Sequence, residues 1–441
     1  MSPVTIGVIG IVAFFVLLSI EMPVAFSMAL VGFWGFGAIT SFSSGLHMVA
    51  TEIFNNFSSY SLGVIPMFVW MGYLAYHSGI GTDLYNFAYK MIGHWPGGLA
   101  VATQLACAMF GAICGSNTAT SATMGAIALP EMRKYKYDDS LSTASIVAGG
   151  MMGMIIPPSV IFIVYGTSTE QSIGKLFLAG IIPGIILMLL FIGAILLKTA
   201  QNPALGPKGP KASWDERVKA LGKGLLETMV IFAISIGGLS FGWFTPTEAG
   251  AVGVGGVLLV SIIRKRMTWQ RLVSSLRDTT KTSSMIMFII AGAMVFGRFM
   301  AVSRLPFELA SWASSLDMPP SFVMWIIILI YLILGIPIDG LAMIVLTIPI
   351  FYPVVCGPLG YDPIWFGVII VLTVALAEAT PPVGMNFFII KGVAQDIPLD
   401  VMFKGIWPFL ISILVLVALL MFFPSIATFL PDLILPDLVI K

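Results

Sequence analysis

The chain has 441 residues, of which 58% are hydrophobic and 10% are charged, and its formal net charge is +1. Soluble domains carry about 25% charged residues, so this composition excludes an ordinary soluble protein. A net charge this close to zero also argues against a nucleic-acid partner. We therefore expect a polytopic membrane protein. Because no basic stretch precedes the first apolar run, we expect no cleaved signal peptide.

The three cysteines lie in apolar runs and lack the spacing of a metal site or a redox motif. We interpret Cys107, Cys114 and Cys356 as apolar filling residues rather than disulfide partners or metal ligands. No resident cofactor is expected.

A membrane-spanning helix needs about 20 apolar residues. In the first half of the chain we predict spans at residues 3–20, 23–42, 61–79 and 174–198. A polar, weakly amphipathic stretch occupies residues 46–60. Residues 81–95 combine aromatic side chains with a lysine, a composition typical of a helix that lies in the membrane interface.

Two segments of the first half are interrupted by residues that disfavour a continuous helix. Residues 97–133 are apolar at both ends but carry small polar residues at the centre, which predicts a re-entrant hairpin with its tip near Gly115–Thr118. In residues 138–167 the pair Pro157-Pro158 removes two backbone donors, which predicts a broken span. Irregular backbone at membrane depth is tolerated where it lines a cavity, so these breaks indicate a transporter site.

The second half repeats this order of features. Spans are predicted at residues 224–243, 246–263, 281–302 and 401–423. Residues 304–317 form a second interfacial stretch, residues 319–354 a second interrupted apolar segment, and residues 362–391 a second broken span. Basic residues between 264 and 281 are expected in a loop.

The basic residues predict the orientation. The hydrophilic linker at residues 199–223 is rich in lysine, and the positive-inside rule places it in the cytoplasm. The basic clusters at residues 133–136 and 264–281 then fall on the same side. Both termini are therefore predicted on the periplasmic side.

The two halves are weakly similar at an offset of about 220 residues. The run P-M-F-V-W-M-G at 66–72 matches M-I-M-F-I-I-A-G at 285–292, and Pro157-Pro158 matches Pro381-Pro382. An odd number of predicted crossings separates the two hairpins, so the second copy should be inverted. We therefore predict an all-α membrane protein with two inverted repeats, each containing a re-entrant hairpin and a broken helix. Such repeats place the substrate at their interface near the midplane.

Each break can bind charge through its backbone. Free carbonyl groups at the end of one helix suit a cation, and free amides at the start of the next suit an anion. Around residues 115–121 with 153–158, and around residues 335–340 with 377–383, the chain can build two oxygen cages for a hard cation. An anionic or zwitterionic substrate between them would contact Asn117, Thr118, Thr380 and Asn386.

Each candidate has a plainer interpretation. Thr120 and Thr123 can simply bond back to their own helix. Asp339 and Glu378 are the most deeply placed ionisable residues, which indicates function, but either can cap a hairpin amide or stay protonated. Arg298 is either the counter-ion of a substrate carboxylate or an arginine that extends to the membrane surface.

The paired motifs G-S-N-T-A-T-S-A-T at 115–123 and E-A-T-P-P-V-G-M-N at 378–386 carry a family resemblance. Together with T-P-T-E-A-G-A at 245–251 and the I-I-P-P-S break, they make the chain resemble the large membrane subunit of TRAP (tripartite ATP-independent periplasmic) transporters. The likeness covers essentially the whole chain. One departure is the second tip, G-I-P-I-D-G, which lacks a Ser/Asn/Thr cluster.

The resemblance implies an elevator-type, sodium-driven importer of organic acids in the bacterial or archaeal inner membrane. Its implied partners are a separate four-span membrane subunit and a periplasmic substrate-binding protein. Sodium, the coupling ion, would be held mainly by backbone carbonyls at Gly115, Ser116, Asn117, Gly153, Ile156, Pro158, Gly335, Gly340, Ala377, Thr380 and Val383. The substrate would contact Asn117, Thr118, Asp339, Thr380, Asn386 and Arg298.

The resemblance also divides the chain into parts. Residues 1–80 and 224–303 would be scaffold helices, 81–96 and 304–318 interfacial arm helices, 97–198 and 319–423 the transport part, 199–223 the cytoplasmic linker, and 424–441 a C-terminal tail.

The main alternative is a single-component organic anion transporter coupled to sodium or protons. An intramembrane enzyme is disfavoured because the chain contains no GxSxG or HExxH motif, and a primary pump because it contains no P-loop. The sequence does not select among dicarboxylates, 2-oxo acids, sugar acids and zwitterionic osmolytes as substrate.

Overall fold

A computed structural model describes residues 1–315, 318–336, 338–382 and 384–436, and these residues fold into helices joined by short turns. In the first half the helices are α1 (Pro3–Ser19), α2 (Val24–Ile39), α3 (Phe42–Ser58), α4 (Val64–Ser78), α5 (Ile80–Ile92), α6 (Gly98–Cys114), α7 (Asn117–Lys134), α8 (Asp139–Ile155), α9 (Val160–Thr169) and α10 (Ile173–Gln201). The predicted hairpin is therefore α6–α7, and the predicted broken helix is α8–α9.

The second half presents the same order of a long helix, a short helix, a hairpin, a broken helix and a final span. Its helices are α11 (Trp214–Ala220), α12 (Leu226–Phe232), α13 (Gly238–Ser240), α14 (Pro246–Ile263), α15 (Trp269–Ser303), α16 (Leu305–Ser315), α17 (Pro320–Leu334), α18 (Gly340–Cys356), α19 (Pro363–Ala379), α20 (Met385–Val393), α21 (Leu399–Phe422) and α22 (Ser425–Ile434). π-Helical turns flank α12 at Leu221–Leu225 and Ala233–Gly237.

Within the described residues, five helical segments are long and apolar enough to cross a membrane, or six with the bent pair Phe42–Ser58 and Tyr60–Ser78. The five are Asp139–Thr169, Ile173–Gln201, Pro246–Ile263, Trp269–Ser303 and Leu399–Phe422. The other predicted spans correspond to apolar helices of 10–17 residues. Short helices of this kind fit a protein whose polar breaks lie inside the membrane.

Four segments contain helix that the sequence analysis did not assign to them. Helix α15 begins at Trp269 and runs for 35 residues, so the expected loop up to residue 281 is mostly helical. Charged residues alone do not end a helix. The basic residues lie on the exposed face of α15, while Ser275 and Thr279 lie on its buried face. The linker contains α11, started by a capping box of Ser213 and Glu216. The expected C-terminal tail contains α22, and the polar stretch at 46–60 belongs to α3.

Local capping residues explain where the breaks fall. Ser116 Oγ accepts a hydrogen bond from the Ala119 amide at 3.4 Å and so starts α7. Ser159 does the same for α9 through the Phe162 amide, also at 3.4 Å. Asp339 starts α18 by accepting from the Leu341 amide at 3.1 Å. Side-chain caps satisfy amides that lack a partner within the helix, so the breaks are specified locally.

The two broken helices form the centre of the molecule. Every residue of α8 from Leu141 to Ile155 is buried, and so is every residue of α19 from Ile364 to Ala379. Helix α8 packs against the α6–α7 hairpin and against α21, while α19 packs against α17, α18 and α21. A helix that is apolar on all sides belongs in the core of a large protein.

Helices α2, α4, α14 and α15 pack together on one side of this centre. Small residues bring α2 and α15 close, because a Cβ atom added to Gly32 would lie 2.9 Å from the Phe296 amide nitrogen. Polar bonds tie α4 to α15: Tyr73 Oη lies 2.8 Å from Thr282 Oγ1. We call α2, α4, α14 and α15 the lateral helices.

Ion pairs lie near the predicted basic side. Arg133, at the end of α7, is 2.6 Å from Asp396 in the loop before α21. This hydrogen bond lowers the pKa of the exposed Asp396 carboxyl. Arg266 binds Asp83 at 2.5 Å and so joins the turn before α15 to α5. Exposed pairs of this kind contribute little stability individually, so we assign them an orienting role.

Candidate substrate and ion site

The first hairpin tip lies directly against the first broken helix. Gly115 has φ +64°, and a side chain there would collide with the Pro158 carbonyl oxygen. A Cβ atom added to Gly153 would lie 2.8 Å from the Ser116 carbonyl oxygen. Glycine is required at the first position for both conformation and space. The structure thus packs the backbone of Gly115 and Ser116 against Gly153 and Pro158, which the sequence analysis grouped around the first break.

The second tip meets the second broken helix in a comparable way. A Cβ atom on Gly335 would collide with the Ala377 side chain, and one on Gly340 would collide with Glu378 Oε1. The backbone turns into α20 through Gly384, at φ +46°. Val383, a predicted carbonyl ligand, lies outside the described residues.

The two halves meet at Asn117, the first residue of α7. Its amide Nδ2 donates to Glu378 Oε2 and lies 3.4 Å from Asn386 Oδ1. The other carboxylate oxygen of Glu378 accepts from the Gly340 amide at 3.0 Å. Residues from α7, α18, α19 and α20 are therefore joined by hydrogen bonds at one point.

A cleft of about 180 Å³ opens between these tips and the lateral helices. It is lined by Val69, Gly72, Tyr73, Cys114, Gly115, Ser116, Asn117, Thr118, Ala119, Met154, Val160, Ile161, Thr282, Met285, Ile286, Asp339, Leu341 and Glu378. Asp339 and Glu378 are the only Asp, Glu, Lys, Arg or His side chains among the described residues in this lining.

Helix ends of both polarities reach the cleft. The starts of α7, α9 and α18 contribute Asn117, Val160 and Leu341, and helix starts carry partial positive charge that favours an anion. The ends of α6 and α8 contribute Cys114 and Met154, and helix ends carry partial negative charge that favours a cation. The cleft therefore suits a small anion and a small cation side by side.

The predicted substrate contacts separate into two groups. Asn117, Thr118 and Asp339 line the cleft. Asn386 is fully buried behind it, and its Nδ2 has no partner among the described residues. Thr380 is outside the described lining, and its hydroxyl donates to the Leu376 carbonyl at 2.7 Å.

The structure agrees with the plainer interpretation of Thr120 and Thr123, in which each hydroxyl bonds back to its own helix. Thr120 Oγ1 donates to the Ser116 carbonyl, and Thr123 Oγ1 to the Ala119 carbonyl, each at 2.7 Å. Both hydroxyls therefore bond to their own chain within one helical turn.

Arg298 is not brought to the cleft. Its Nε lies 2.7 Å from Glu52 Oε1, and the two residues line a different cavity. Glu52 is 7% exposed, so the pair satisfies a nearly buried carboxylate. The structure thus places Arg298, a predicted substrate contact, outside the described lining of this cleft.

Sequence reasoning missed the lateral wall of the cleft. Tyr73 and Thr282 lie inside apolar spans, and their polar groups face each other from α4 and α15. The match between residues 66–72 and 285–292 marked these helices as related, but it did not show that they contact each other. Glu378 was identified as a deep carboxylate, although its partners 38 and 261 residues away were not.

Solved structures of low sequence identity share this fold. The transporter YdaH of Alcanivorax borkumensis aligns with a TM-score of 0.61 at 13% identity over 86% of this chain and 88% of that one. MtrF of Neisseria gonorrhoeae aligns with a TM-score of 0.60 at 14% identity over 86% and 84%. The class defined by the fold is thus a polytopic all-α membrane protein, and the breaks and cleft lie within this shared fold.

The family model described as "Tripartite ATP-independent periplasmic transporter, DctM component" matches residues 11–426. The C4-dicarboxylate TRAP transporter large permease protein DctM of Pseudomonas aeruginosa is 33% identical over 87% of this chain and 89% of its own length. The 2,3-diketo-L-gulonate large permease protein YiaN of Escherichia coli is 33% identical over 95% of each. The chain belongs to the family of TRAP transporter large permease subunits, and the resemblance inferred from the motifs is confirmed.

Proposed function

We propose that this subunit imports a small organic acid together with sodium ions across the inner membrane by an elevator movement. A periplasmic binding protein would deliver the acid, and a separate small membrane subunit would complete the permease. The observation that supports this best is the cleft in which three helix starts and two helix ends converge beside the hairpin tips.

The acid would bind where the starts of α7, α9 and α18 meet. The partial positive charge at the starts of these helices would favour a carboxylate there. Thr118, whose side chain is exposed in the cleft, donates its hydroxyl hydrogen to Asn117 Oδ1 and would turn it to the acid. Tyr73 and Thr282 would contact the acid from the opposite wall.

Sodium would bind to backbone oxygens at the two breaks. Close approach of Gly115 to Pro158 and of Gly153 to Ser116 gathers carbonyl groups at the first break. Hard cations prefer such oxygen ligands. Gly335 and its contact with Ala377 would support the corresponding site at the second break.

The elevator movement would carry α6–α9 and α17–α20 past the lateral helices. The two hairpins and two broken helices pack on one another, and the cleft lies between part of their tips and α4 and α15. Contact remains at the end of α6, because a Cβ atom added to Gly72 of α4 would lie 2.6 Å from the Cys114 carbonyl oxygen. The repeated element order supports two inverted repeats. Both termini would then face the periplasm, with the basic loops in the cytoplasm.

The names of the relatives indicate which classes of substrate to consider for this chain. Large permeases related to this chain are named for C4-dicarboxylates, sialic acid and ectoine. The described cleft lining contains two carboxylates and no Lys, Arg or His. The charge of a strongly anionic ligand would therefore have to be balanced by helix dipoles and sodium ions. We therefore place a carboxylate with accompanying sodium in this cleft.

The test is uptake into proteoliposomes that contain this chain with its small subunit. A binding protein loaded with candidate acids is added, and a sodium gradient is compared with a proton gradient. Uptake that requires both sodium and the binding protein is expected. Proton-driven uptake by this chain alone would contradict the proposal and favour a single-component anion transporter.

A matched pair of variants tests the cleft. Thr118→Leu places an apolar side chain in the cleft and should lower uptake by about tenfold or more, because a hydroxyl and space for the acid are lost. Thr280→Leu is the control, since Thr280 is exposed on α15 and donates only to the Leu276 carbonyl of its own helix. Equal uptake by the two variants would exclude this cleft as the substrate site.

A further inference from the structure

The Glu378 side chain, which lies on α19, links two further elements, α7 and α18. It extends from α19, accepts from Asn117 at the start of α7, and accepts from the Gly340 amide at the start of α18. The side chain is 3% exposed, yet it lines the cleft. We propose that Glu378 is a positioning residue that holds the tips of the two hairpins together and so sets the shape of the cleft. Its part in transport rests on the proposed function.

The orientation of the Asn117 amide is determined by a second contact. Asn117 Oδ1 accepts from the Thr118 backbone amide at 2.7 Å, and a backbone N–H can only donate. The Nδ2 group must therefore be the part of the side chain that faces Glu378. The Thr118 hydroxyl, 3.2 Å from the same Oδ1, adds to this orientation.

The second partner of Glu378 is equally restricted. The Gly340 amide lies in the first turn of α18, where it has no carbonyl partner within the helix. A side chain at residue 340 would collide with Glu378 Oε1, so the carboxylate can approach this backbone only because residue 340 is glycine. Both oxygens of Glu378 thus face groups that donate and cannot accept.

A carboxylate is the side chain that satisfies this arrangement. Ionised carboxyl groups only accept, with both oxygens available, whereas an amide offers one acceptor and one donor. Glutamine at residue 378 would direct its NH₂ group at either Asn117 Nδ2 or the Gly340 amide. Hydrogen bonds to charged acceptors are stronger than neutral ones, and an unmade buried bond is costly.

The arrangement provides a reciprocal test. The single variant E378Q places donor against donor, and the single variant N117D places two carboxylates against each other. In the double variant N117D/E378Q, the glutamine NH₂ donates to the introduced aspartate, and the glutamine oxygen accepts from the Gly340 amide. The second oxygen of the introduced aspartate accepts from the Thr118 amide, so the bonds that join residues 117, 378, 340 and 118 are restored with unchanged net charge. The contact of 3.4 Å with Asn386 Oδ1 is lost unless the Asn386 amide turns its Nδ2, which has no partner among the described residues, toward the aspartate.

Two measurements are made on wild type, both single variants and the double variant. Each single variant should lose about tenfold or more of the sodium-dependent uptake rate, since one charged hydrogen bond is lost. The double variant should recover to within about threefold of wild type. The melting temperature of the detergent-solubilised protein should follow the same order. Glu131→Gln, at a surface pair with Lys134 of 3.7 Å, is the carboxylate-to-amide control.

Two outcomes overturn the proposal, and a third overturns only the proposed function. Wild-type behaviour of E378Q would show that the contact does not position the tips. A double variant that regains its melting temperature but not its uptake would overturn a purely positioning role, because Glu378 or Asn117 would then act directly on the ion or the substrate. If wild-type uptake proves independent of sodium, the proposed function fails, while the melting temperatures still decide whether the contact holds the tips together.

Discussion

At the scale of single residues, the breaks depend on glycine as well as on polar caps. Gly115 adopts a left-handed conformation against Pro158, and Gly153 leaves room for the Ser116 carbonyl. The sequence predicted both breaks to within a few residues, because proline pairs and polar caps act locally. It could not predict that Glu378 binds Asn117, since that contact depends on how distant helices pack.

Gly153→Ala tests the close approach at the first break. The added methyl group would lie 2.8 Å from the Ser116 carbonyl and 2.9 Å from Thr120 Oγ1, so the tip must shift. Overpacking of this kind costs about 1–3 kcal/mol, and we expect a lower melting temperature with uptake reduced by about tenfold. Gly255→Ala is the control, because nothing lies within 4 Å of its added Cβ atom. Equal loss in both variants would contradict the close packing at Gly153.

At the scale of elements, hydrophobic runs predicted most helices. Clusters of charged residues did not predict where the helices end. Helix α15 continues through the basic residues between 269 and 281 because one face remains buried while the charges face outward. The hairpins and broken helices were predicted from local interruptions. Contacts between elements, such as the pairing of α4 with α15 in the lateral wall of the cleft, follow from packing that periodicity does not encode.

The contact of α2 with α15 provides the test at this scale. A side chain at Gly292 would collide with the Ala25 carbonyl oxygen, so Gly292→Leu should force the two lateral helices apart. We expect a strong loss of folded protein in the membrane, measured by fluorescence-detected size exclusion after detergent extraction. Gly193→Leu on α10, where nothing lies within 4 Å, should accumulate normally. Normal accumulation of Gly292→Leu would exclude this packing.

At the scale of the whole molecule, the sequence predicted the class, the family and the order of elements in both halves. It did not predict the partner of Arg298, which pairs with Glu52 away from the hairpin tips. Position within a span indicates depth, but it does not indicate which neighbour a side chain faces. The pairing of opposite charges across 246 residues is a property of the assembled fold.

Cysteine labelling tests the inverted arrangement of the halves. In a variant whose native cysteines are replaced by alanine, single cysteines are introduced at Thr118 or Ile336, one at each hairpin tip. During transport we expect the two tips to react with membrane-impermeant reagents from opposite sides. Reaction of both tips from one side in every condition would contradict inverted repeats, provided that the cysteine-free parent retains uptake.

The short second segment of each broken helix has an electrical consequence. Helix α9 has 10 residues and α20 has nine, so each break lies about 15 Å of helix from the end of its segment. This is about half of a hydrocarbon core of about 30 Å. A sodium ion at either break would cross about half of the membrane potential, or about 1.2 kcal/mol at 100 mV. Sodium affinity should therefore change severalfold with voltage, and the membrane potential would act on ion binding as well as on movement.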